Sequence, residues 1–252
     1  MKYEALVAQL RTLKLTGMAD ALEQQLEQPA THDDLGFLER LSLLTDREAC
    51  SRSNTRVARL LKAAQLKIQA QADDVNYRHP RGLQKSVFAE LLNGQWISGH
   101  QNVFLTGPTG CGKTYLACVL ATQACRQGYS VRYFRTSRLL ETLSIAHHDG
   151  RFSKLIAQLA RTDVLLLDDW GLEKLDLGQR NDMLELMEDR HGSKSTMITS
   201  QLPVKDWHSS IGDATLADAI LDRLVHNSHR IVLKGKSMRS IDSTAKAKNT
   251  PS

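Results

Sequence analysis

The sequence predicts an α/β protein, in which helices cover both faces of a five-stranded parallel sheet and a small all-helical domain precedes the sheet. Two observations predict this class. Residues 1 to about 70 carry helical spacings of leucine with few strand signals, and beyond residue 100 five short apolar segments alternate with segments of helical pattern. Strands of a parallel sheet are buried on both faces, which explains why they appear as short continuous apolar runs.

The N-terminal residues 1–70 are predicted to form two to four helices. Leucines between Leu6 and Leu15 form one apolar stripe, and a second stripe follows Gly17. Pro29 and the polar residues after it interrupt the pattern and offer N-caps. A helix then restarts at Phe37 and is expected to run, with interruptions, towards Ala70.

The second half of the chain is predicted to alternate strands and helices. The predicted strands are Val103–Thr106, Ser130–Phe134, Asp163–Asp168, Thr196–Ser200 and Arg230–Leu233. The predicted helices are Tyr115–Gln127, Ser137–His147 with Ser137 as its cap, Phe152–Ala160, Gly178–His191 and Leu216–Asn227. Right-handed crossovers place the carboxyl ends of all these strands at one edge, where ligands bind in open α/β sheets.

A glycine-rich segment between the first strand and its helix has the pattern GxxxxGK[ST]. Its residues are Gly107, Pro108, Thr109, Gly110, Cys111, Gly112, Lys113 and Thr114, and Tyr115 follows at the start of the helix. The glycines let backbone N–H groups surround phosphates, Lys113 can reach the β- and γ-phosphates, and the Thr114 hydroxyl can bind Mg²⁺. Strand, loop and helix N-terminus occur in the order that a phosphate site requires, so we predict ATP and Mg²⁺ as ligands.

Residues 71–99 are interpreted as a linker that also reaches the nucleotide. Tyr77 to Gly82 is predicted as a loop and Leu83 to Leu92 as a helix. Because the loop comes just before a phosphate-binding segment, Tyr77 or Arg78 could stack on the adenine base. The alternative is a linker with one aromatic anchor.

Two carboxylates, Asp168 and Asp169, end the third predicted strand. About fifty residues after a phosphate loop, this pair predicts that Asp168 holds Mg²⁺ through water and that Asp169 orients the water that attacks the γ-phosphate. A helix N-cap by Asp169 is the alternative.

Gln201 after the fourth strand is a candidate sensor of the γ-phosphate, because its amide both donates and accepts. That role requires the fourth strand to lie between the first strand, which leads into the glycine-rich loop, and the third strand, which ends in Asp168. The alternative for the neighbouring Thr199 and Ser200 is that they cap the end of the strand.

Two arginines further on are candidates for stabilising phosphate charge. Arg223 in the sequence Asp-Arg-Leu is predicted to act as an arginine finger on the nucleotide of a neighbouring subunit, with a surface pair to Asp222 as the alternative. Arg239 could reach the same nucleotide or a DNA phosphate.

Composition and charge narrow the class of protein. The net charge of +5 permits a nucleic-acid partner, and basic residues concentrate in 47–67 and after residue 233. The basic run in 47–67 suits DNA contact and a solvated helix face equally well. Residues 240–252 are predicted to be a disordered basic tail.

The cysteines Cys111, Cys118 and Cys125 recur every seven residues, and this spacing indicates buried thiols rather than a disulfide framework. With no apolar run near 18 residues and no leader at Met1, we expect a cytoplasmic protein without a membrane partner.

These motifs resemble those of IstB-type ATP-binding proteins of insertion-sequence transposition, AAA+ ATPases related to DnaC-type helicase loaders. The resemblance runs from about residue 5 to Arg239 and rests on GPTGCGKT at Gly107, LLLDDWG at Leu165, TSQLPVKDWH at Thr199 and ADAILDRLVHNSHRIVLKGKSMR at Ala217. It implies an AAA+ domain over 100–239, with Walker A at Gly107–Thr114, Walker B at Asp168–Asp169, sensor 1 at Ser200–Gln201 and the finger at Arg223.

The resemblance also implies partners. Such proteins assemble as ATP-dependent homo-oligomers on double-stranded DNA and assist a cognate transposase, with the helical N-terminal domain serving DNA binding or oligomerisation. The chain departs from the wider AAA+ pattern at Asp169, where Glu is common, and at Gln201, where Asn is common. The final dozen residues match no pattern of the family. The alternatives are a helicase loader, disfavoured because the N-terminal domain lacks cysteine clusters, and a metabolic P-loop kinase, disfavoured because no arginine-rich lid follows Arg138.

Overall fold

The protein divides into two compact units, Met1–Arg59 and Leu60–Ser252, in a computed structural model that describes residues 2–32, 34–235 and 237. Arg239 and the tail 240–252, for which the sequence made predictions, lie outside the described residues. The sequence predicted a boundary between a helical domain and a linker near residue 70; by compactness, the first unit ends at Arg59. Within the described residues, no helix combines the length and apolarity that crossing a membrane requires.

The first unit is helical, as its leucine spacing predicted. It contains α1 (Lys2–Thr12), α2 (Thr16–Glu27), a 3₁₀ turn (Pro29–Thr31) and most of α3 (Phe37–Ala64). The chain turns between α1 and α2 at Lys14, whose φ is 59°. Gly17 lies inside α2, where an added Cβ would stand 2.8 Å from the carbonyl oxygen of Arg47 and the Cα of Glu48. A side chain at Gly17 would therefore push α2 away from α3.

The second unit carries the sheet and the remaining helices. Its helices are α4 (Lys85–Leu92), α5 (Gln95–Ser98), α6 (Lys113–Arg126), α7 (Thr136–His148), α8 (Phe152–Arg161), α9 (Leu177–Arg190), α10 (Trp207–Ile211) and α11 (Ala214–Val225), with a 3₁₀ turn at Val204–Asp206. Its strands are β1 (Asn102–Thr106), β2 (Val131–Arg135), β3 (Val164–Trp170), β4 (Ser195–Ser200) and β5 (Ser228–Val232).

All five strands are parallel and lie in the order β2-β3-β4-β1-β5. Residues alternate between two hydrophobic clusters along each central strand: Val103 and Leu105 belong to one cluster and Phe104 to the other. The helices therefore cover both faces of the sheet, as predicted. The cluster on the side of Val103 also contains Val75 and Phe88, so residues of the predicted linker 71–99 contribute to the core of this unit.

Two predicted element ends differ from the structure. Ser137 does not cap a helix, because α7 already begins at Thr136, directly after β2, and Arg135 occupies the N-cap position. The helix that starts at Phe37 ends at Ala64 rather than near Ala70, since the next residue, Gln65, adopts a left-handed conformation with φ of 51°.

Candidate nucleotide-binding site

The glycine-rich loop joins β1 to α6 in a conformation that only glycine adopts without strain at three of its positions, Gly107, Gly110 and Gly112. Gly107 has φ of +146°, and a Cβ there would lie 2.4 Å from the carbonyl oxygen of Leu233. Gly112 precedes α6 with φ of +91°. The loop therefore delivers its N–H groups at the N-terminus of a 14-residue helix, where the helix dipole favours an anion.

Lys113 is the first residue of α6, and its ammonium is turned onto the loop. The side chain is 6% exposed, and Nζ donates to the carbonyl oxygens of Gly107 at 2.7 Å and Pro108 at 2.9 Å. The backbone of the loop therefore surrounds a buried positive charge. Phosphate oxygens bind an ammonium more strongly than neutral carbonyls do, so this charge is placed for a polyphosphate.

Asp168 lies near the carboxyl end of β3 and is fully buried. One of its oxygens, Oδ1, accepts hydrogen bonds from the hydroxyls of Thr114 at 2.7 Å and Thr199 at 2.5 Å. The other, Oδ2, accepts one from the Tyr133 hydroxyl at 2.8 Å. Burial, together with this carboxylate, raises the pKa of the Tyr133 phenol well above its usual range, so Tyr133 remains a donor.

The hydroxyl of Thr114 and the carboxylate of Asp168 suit Mg²⁺. Both are hard oxygen ligands, they come from two different elements, and their direct hydrogen bond shows that they converge on one point. Both positions were predicted for this role from the sequence, and the structure brings them together.

Asp169 stands in a break of the regular strand. Its φ is +62°, and the register between β3 and β4 shifts between Leu167 and Trp170. The Asp169 N–H donates to the Thr199 hydroxyl oxygen at 3.2 Å, and Oδ2 lies 3.2 Å from Nε of Arg135. The alternative interpretation of Asp169 as a helix cap is wrong, because the next helix begins at Leu177 and is capped by Asp176.

Gln201 reaches the glycine-rich loop. β4 lies between β3 and β1, which is the condition that the sequence set for a sensor at this position. Oε1 of Gln201 accepts a hydrogen bond from the Thr109 hydroxyl at 2.6 Å. Thr199, which the sequence offered as a strand cap, contacts Asp168 instead, and Ser200 donates to the carbonyl oxygen of Trp170 at 2.7 Å.

A cavity of about 630 Å³ lies over these groups. Its walls include Lys67, Asp74, Asn76, Arg81, Tyr115 and Arg135, besides residues of the loop, Asp169 and Gln201. Arg81 is 1% exposed and donates to the carbonyl oxygen of Asn76 at 3.1 Å, and burial lowers its pKa. The cavity is large enough for a nucleotide and carries more basic than acidic side chains, as a triphosphate requires.

Two predicted residues stand apart from this cluster. The Tyr77 ring packs edge-on against Phe88, with centroids 6.3 Å apart, so its proposed contact with a base stays a prediction.

Arg223 lies at the amino ends of the strands, opposite the edge that carries the glycine-rich loop, because the Asn102 side chain at the start of β1 donates to the carbonyl oxygens of Arg223 and Leu224. Its guanidinium pairs with Glu188 at 2.6 Å and not with Asp222, the partner that the alternative interpretation named.

The sequence did not assign four residues to this site: Lys67, Arg81, Tyr133 and Arg135. Tyr133 and Arg135 belong to β2, and Arg135 pairs in register with Asp168 of β3. The alternation of side chains along β2 could have pointed to them had the strand order been known, because residues two apart face the same side.

Comparisons with known proteins identify the family of the chain. The family described as IstB-like ATP binding protein matches residues 8–246. An insertion-sequence ATP-binding protein of Sinorhizobium fredii is 48% identical over 230 residues, which cover 91% of this chain and 94% of that protein. An ATP-binding protein of an insertion sequence of Pseudomonas fluorescens is 53% identical over 198 residues, covering 78% and 85%.

Solved structures share the fold over about seven tenths of the chain. The DnaC helicase loader matches with a TM-score of 0.53 at 22% identity, over 70% of this chain and 99% of that chain. AMPPCP-bound DnaA from Aquifex aeolicus matches with a TM-score of 0.58 at 16% identity, over 75% and 58%. At these identities the likeness concerns the fold alone.

Proposed function

The chain belongs to the family of IstB-like ATP-binding proteins of insertion sequences and has an AAA+ fold, and from this premise we propose that it is an ATPase that assembles on duplex DNA and assists a transposase. One observation carries the enzymatic part of the proposal. The glycine-rich loop with Thr114, Asp169 and Gln201 line one cavity at the same edge of the sheet, and the buried Asp168 is hydrogen-bonded to Thr114 there.

Binding of ATP begins with the loop. Its N–H groups and the ammonium of Lys113 donate hydrogen bonds to the phosphate oxygens. The ammonium thereby exchanges the carbonyl oxygens of Gly107 and Pro108 for charged phosphate oxygens. Thr114 and Asp168 would hold Mg²⁺. When bound, Mg²⁺ neutralises part of the charge on the β- and γ-phosphates.

Hydrolysis requires a water molecule oriented towards the γ-phosphorus. Asp169 accepts a proton from that water as its oxygen bonds to phosphorus and the bond to the bridging β–γ oxygen breaks. Arg135 competes for the Asp169 carboxylate at 3.2 Å, so this ion pair must loosen before Asp169 can serve the water. Gln201 and its partner Thr109 stand beside the same phosphate and position it.

Arg223 is proposed to act on a neighbouring protomer. It lies at the edge of the sheet opposite the loop of its own chain, so it can approach a γ-phosphate only if that edge meets the cavity of another copy. The finger would then exchange Glu188 for a phosphate. ATP between two protomers would thus favour assembly, and hydrolysis would weaken it.

Duplex DNA is the proposed surface for this assembly, and a transposase the proposed partner. The net charge of +5 and the basic run in 47–67 support contact with phosphates. The insertion-sequence proteins named above match nearly their whole length and therefore favour transposition over the alternative of a helicase loader, for which the likeness to DnaC supports the fold only.

Binding to labelled duplex DNA tests the proposal. In ATP we expect tight binding that weakens by roughly 10³-fold or more when salt rises from about 50 to about 200 mM, because contacts to several phosphates release counterions. Fluorescence anisotropy measures this, with ADP as the matched condition in which affinity is lower. DNA affinity that is indifferent to both nucleotide and salt would contradict the proposal.

A further inference from the structure

The buried carboxylate of Asp168 has a positively charged neighbour that the mechanism above does not use. Nζ of Lys67 lies 3.5 Å from Oδ2 of Asp168. Among the described residues, Lys67 is the one cationic side chain within ion-pair distance of this carboxylate. A fully buried carboxylate requires a counter-charge or several donors, and Lys67 supplies the charge.

Lys67 comes from a segment that is held against the core. Gln65 turns the chain with φ of 51°, and Leu66 and Ile68 pack against the cluster that includes Cys118 of α6. The backbone around Lys67 is therefore fixed, whereas its side chain is 48% exposed and lines the nucleotide cavity. A flexible side chain on a fixed backbone can change partners without moving the fold.

The second lysine of the cavity cannot replace it. The Lys113 ammonium is occupied by the carbonyl oxygens of Gly107 and Pro108, and no ion pair joins it to Asp168 within the residues described. When Mg²⁺ is bound by Thr114 and Asp168, the carboxylate already has a divalent counter-charge. Two cations that share one carboxylate in a buried site repel each other strongly, so Lys67 and Mg²⁺ compete.

We propose that Lys67 is an exchangeable counter-ion of the nucleotide site. It neutralises Asp168 when Mg²⁺ is absent and yields that position to the metal when Mg²⁺ binds with the nucleotide. This rests on the proposed function, because it takes the cavity as a site for Mg²⁺ and ATP. Removing the charge of Lys67 should therefore weaken the binding of ATP without Mg²⁺ and should not weaken the binding of ATP with Mg²⁺.

The test is a titration of a fluorescent, slowly hydrolysed ATP analogue, once in EDTA and once in excess Mg²⁺. For Lys67→Met we expect the Kd in EDTA to rise about tenfold, because the charge of Asp168 is then left without its cation beside the phosphates. The Kd in Mg²⁺ stays the same or falls, because no lysine has to leave the carboxylate before the metal binds. The ratio of the Kd in EDTA to the Kd in Mg²⁺ therefore rises at least about tenfold. Lys154→Met, at an exposed lysine of α8 outside the cavity and outside the basic run, is the control and keeps the wild-type ratio.

Two further variants protect the test against misfolding. Lys67→Arg keeps the charge and is expected to keep the ratio, and Lys67→Gln is neutral, similar in length and expected to behave like Lys67→Met. An unchanged ratio in the neutral variants overturns the proposal, whether both affinities fall equally, as for an ordinary phosphate contact, or neither changes. Failure of the wild-type protein to bind the analogue in either condition would instead refute the nucleotide site itself.

Discussion

Lys113→Ala is expected to abolish ATP binding at ordinary concentrations, with a Kd raised at least about a hundredfold. The reason is geometric: Lys113 is buried at the start of α6, and its ammonium lies inside the curve of the loop. Each hydrogen bond to a charged group contributes about 1.5–3 kcal/mol, so loss of two or more exceeds the roughly 2.8 kcal/mol that a hundredfold represents. Calorimetric titration with ATP measures the effect.

A control separates this local effect from a general loss of charge. Lys154→Ala removes an exposed lysine of α8 in the same unit and is expected to leave the Kd unchanged. Thermal unfolding of both variants establishes that they fold. Near-normal ATP binding by folded Lys113→Ala would mean that the loop does not hold the phosphates.

Arg223→Ala is expected to lower ATP turnover by about 10³-fold while ATP binding persists, because an arginine finger acts on the transition state of a neighbour's nucleotide. The side chain is 26% exposed, pairs with Glu188 and lies away from its own loop. Turnover is measured at high protein concentration with duplex DNA. Arg161→Ala, at the exposed end of α8, is the matched control.

Mixing two inactive variants distinguishes action between subunits from action within one. Asp169→Asn protomers lack the group that serves water but still carry Arg223. Arg223→Ala protomers keep an intact Asp169. If the finger acts across the interface, the mixture regains turnover where an Arg223→Ala site meets an Asp169→Asn neighbour. Turnover no higher than the sum of the separate variants would contradict the shared site.

The sequence predicted the sheet well because local patterns determine it. Each apolar run after Gly99 became a strand within about two residues, and the glycine-rich loop lies where strand, loop and helix required it. Thr114 and Asp168 were predicted together because both motifs are short and chemically specific. Strand order follows from tertiary packing rather than from any one segment, and for this reason the sequence could predict the sensor role of Gln201 only on condition of that order.

The residues that the sequence missed share a physical cause. Tyr133 and Arg135 matter only because β2 lies beside β3, and the charge of Lys67 matters only because a turn at Gln65 directs the following segment towards α6. On the sequence, Lys67 was one cation of a basic run. The left-handed conformation of Asp169, a residue other than glycine, also has no local signal and depends on the register shift between β3 and β4.

Light scattering of the purified protein tests the central claim most directly, with and without duplex DNA, in ATP, in ADP and in a slowly hydrolysed ATP analogue. If a triphosphate joins neighbouring protomers, the mass per particle on DNA rises with ATP or the analogue and falls back with ADP. A protein that stays monomeric in every condition while it hydrolyses ATP rapidly would contradict the account.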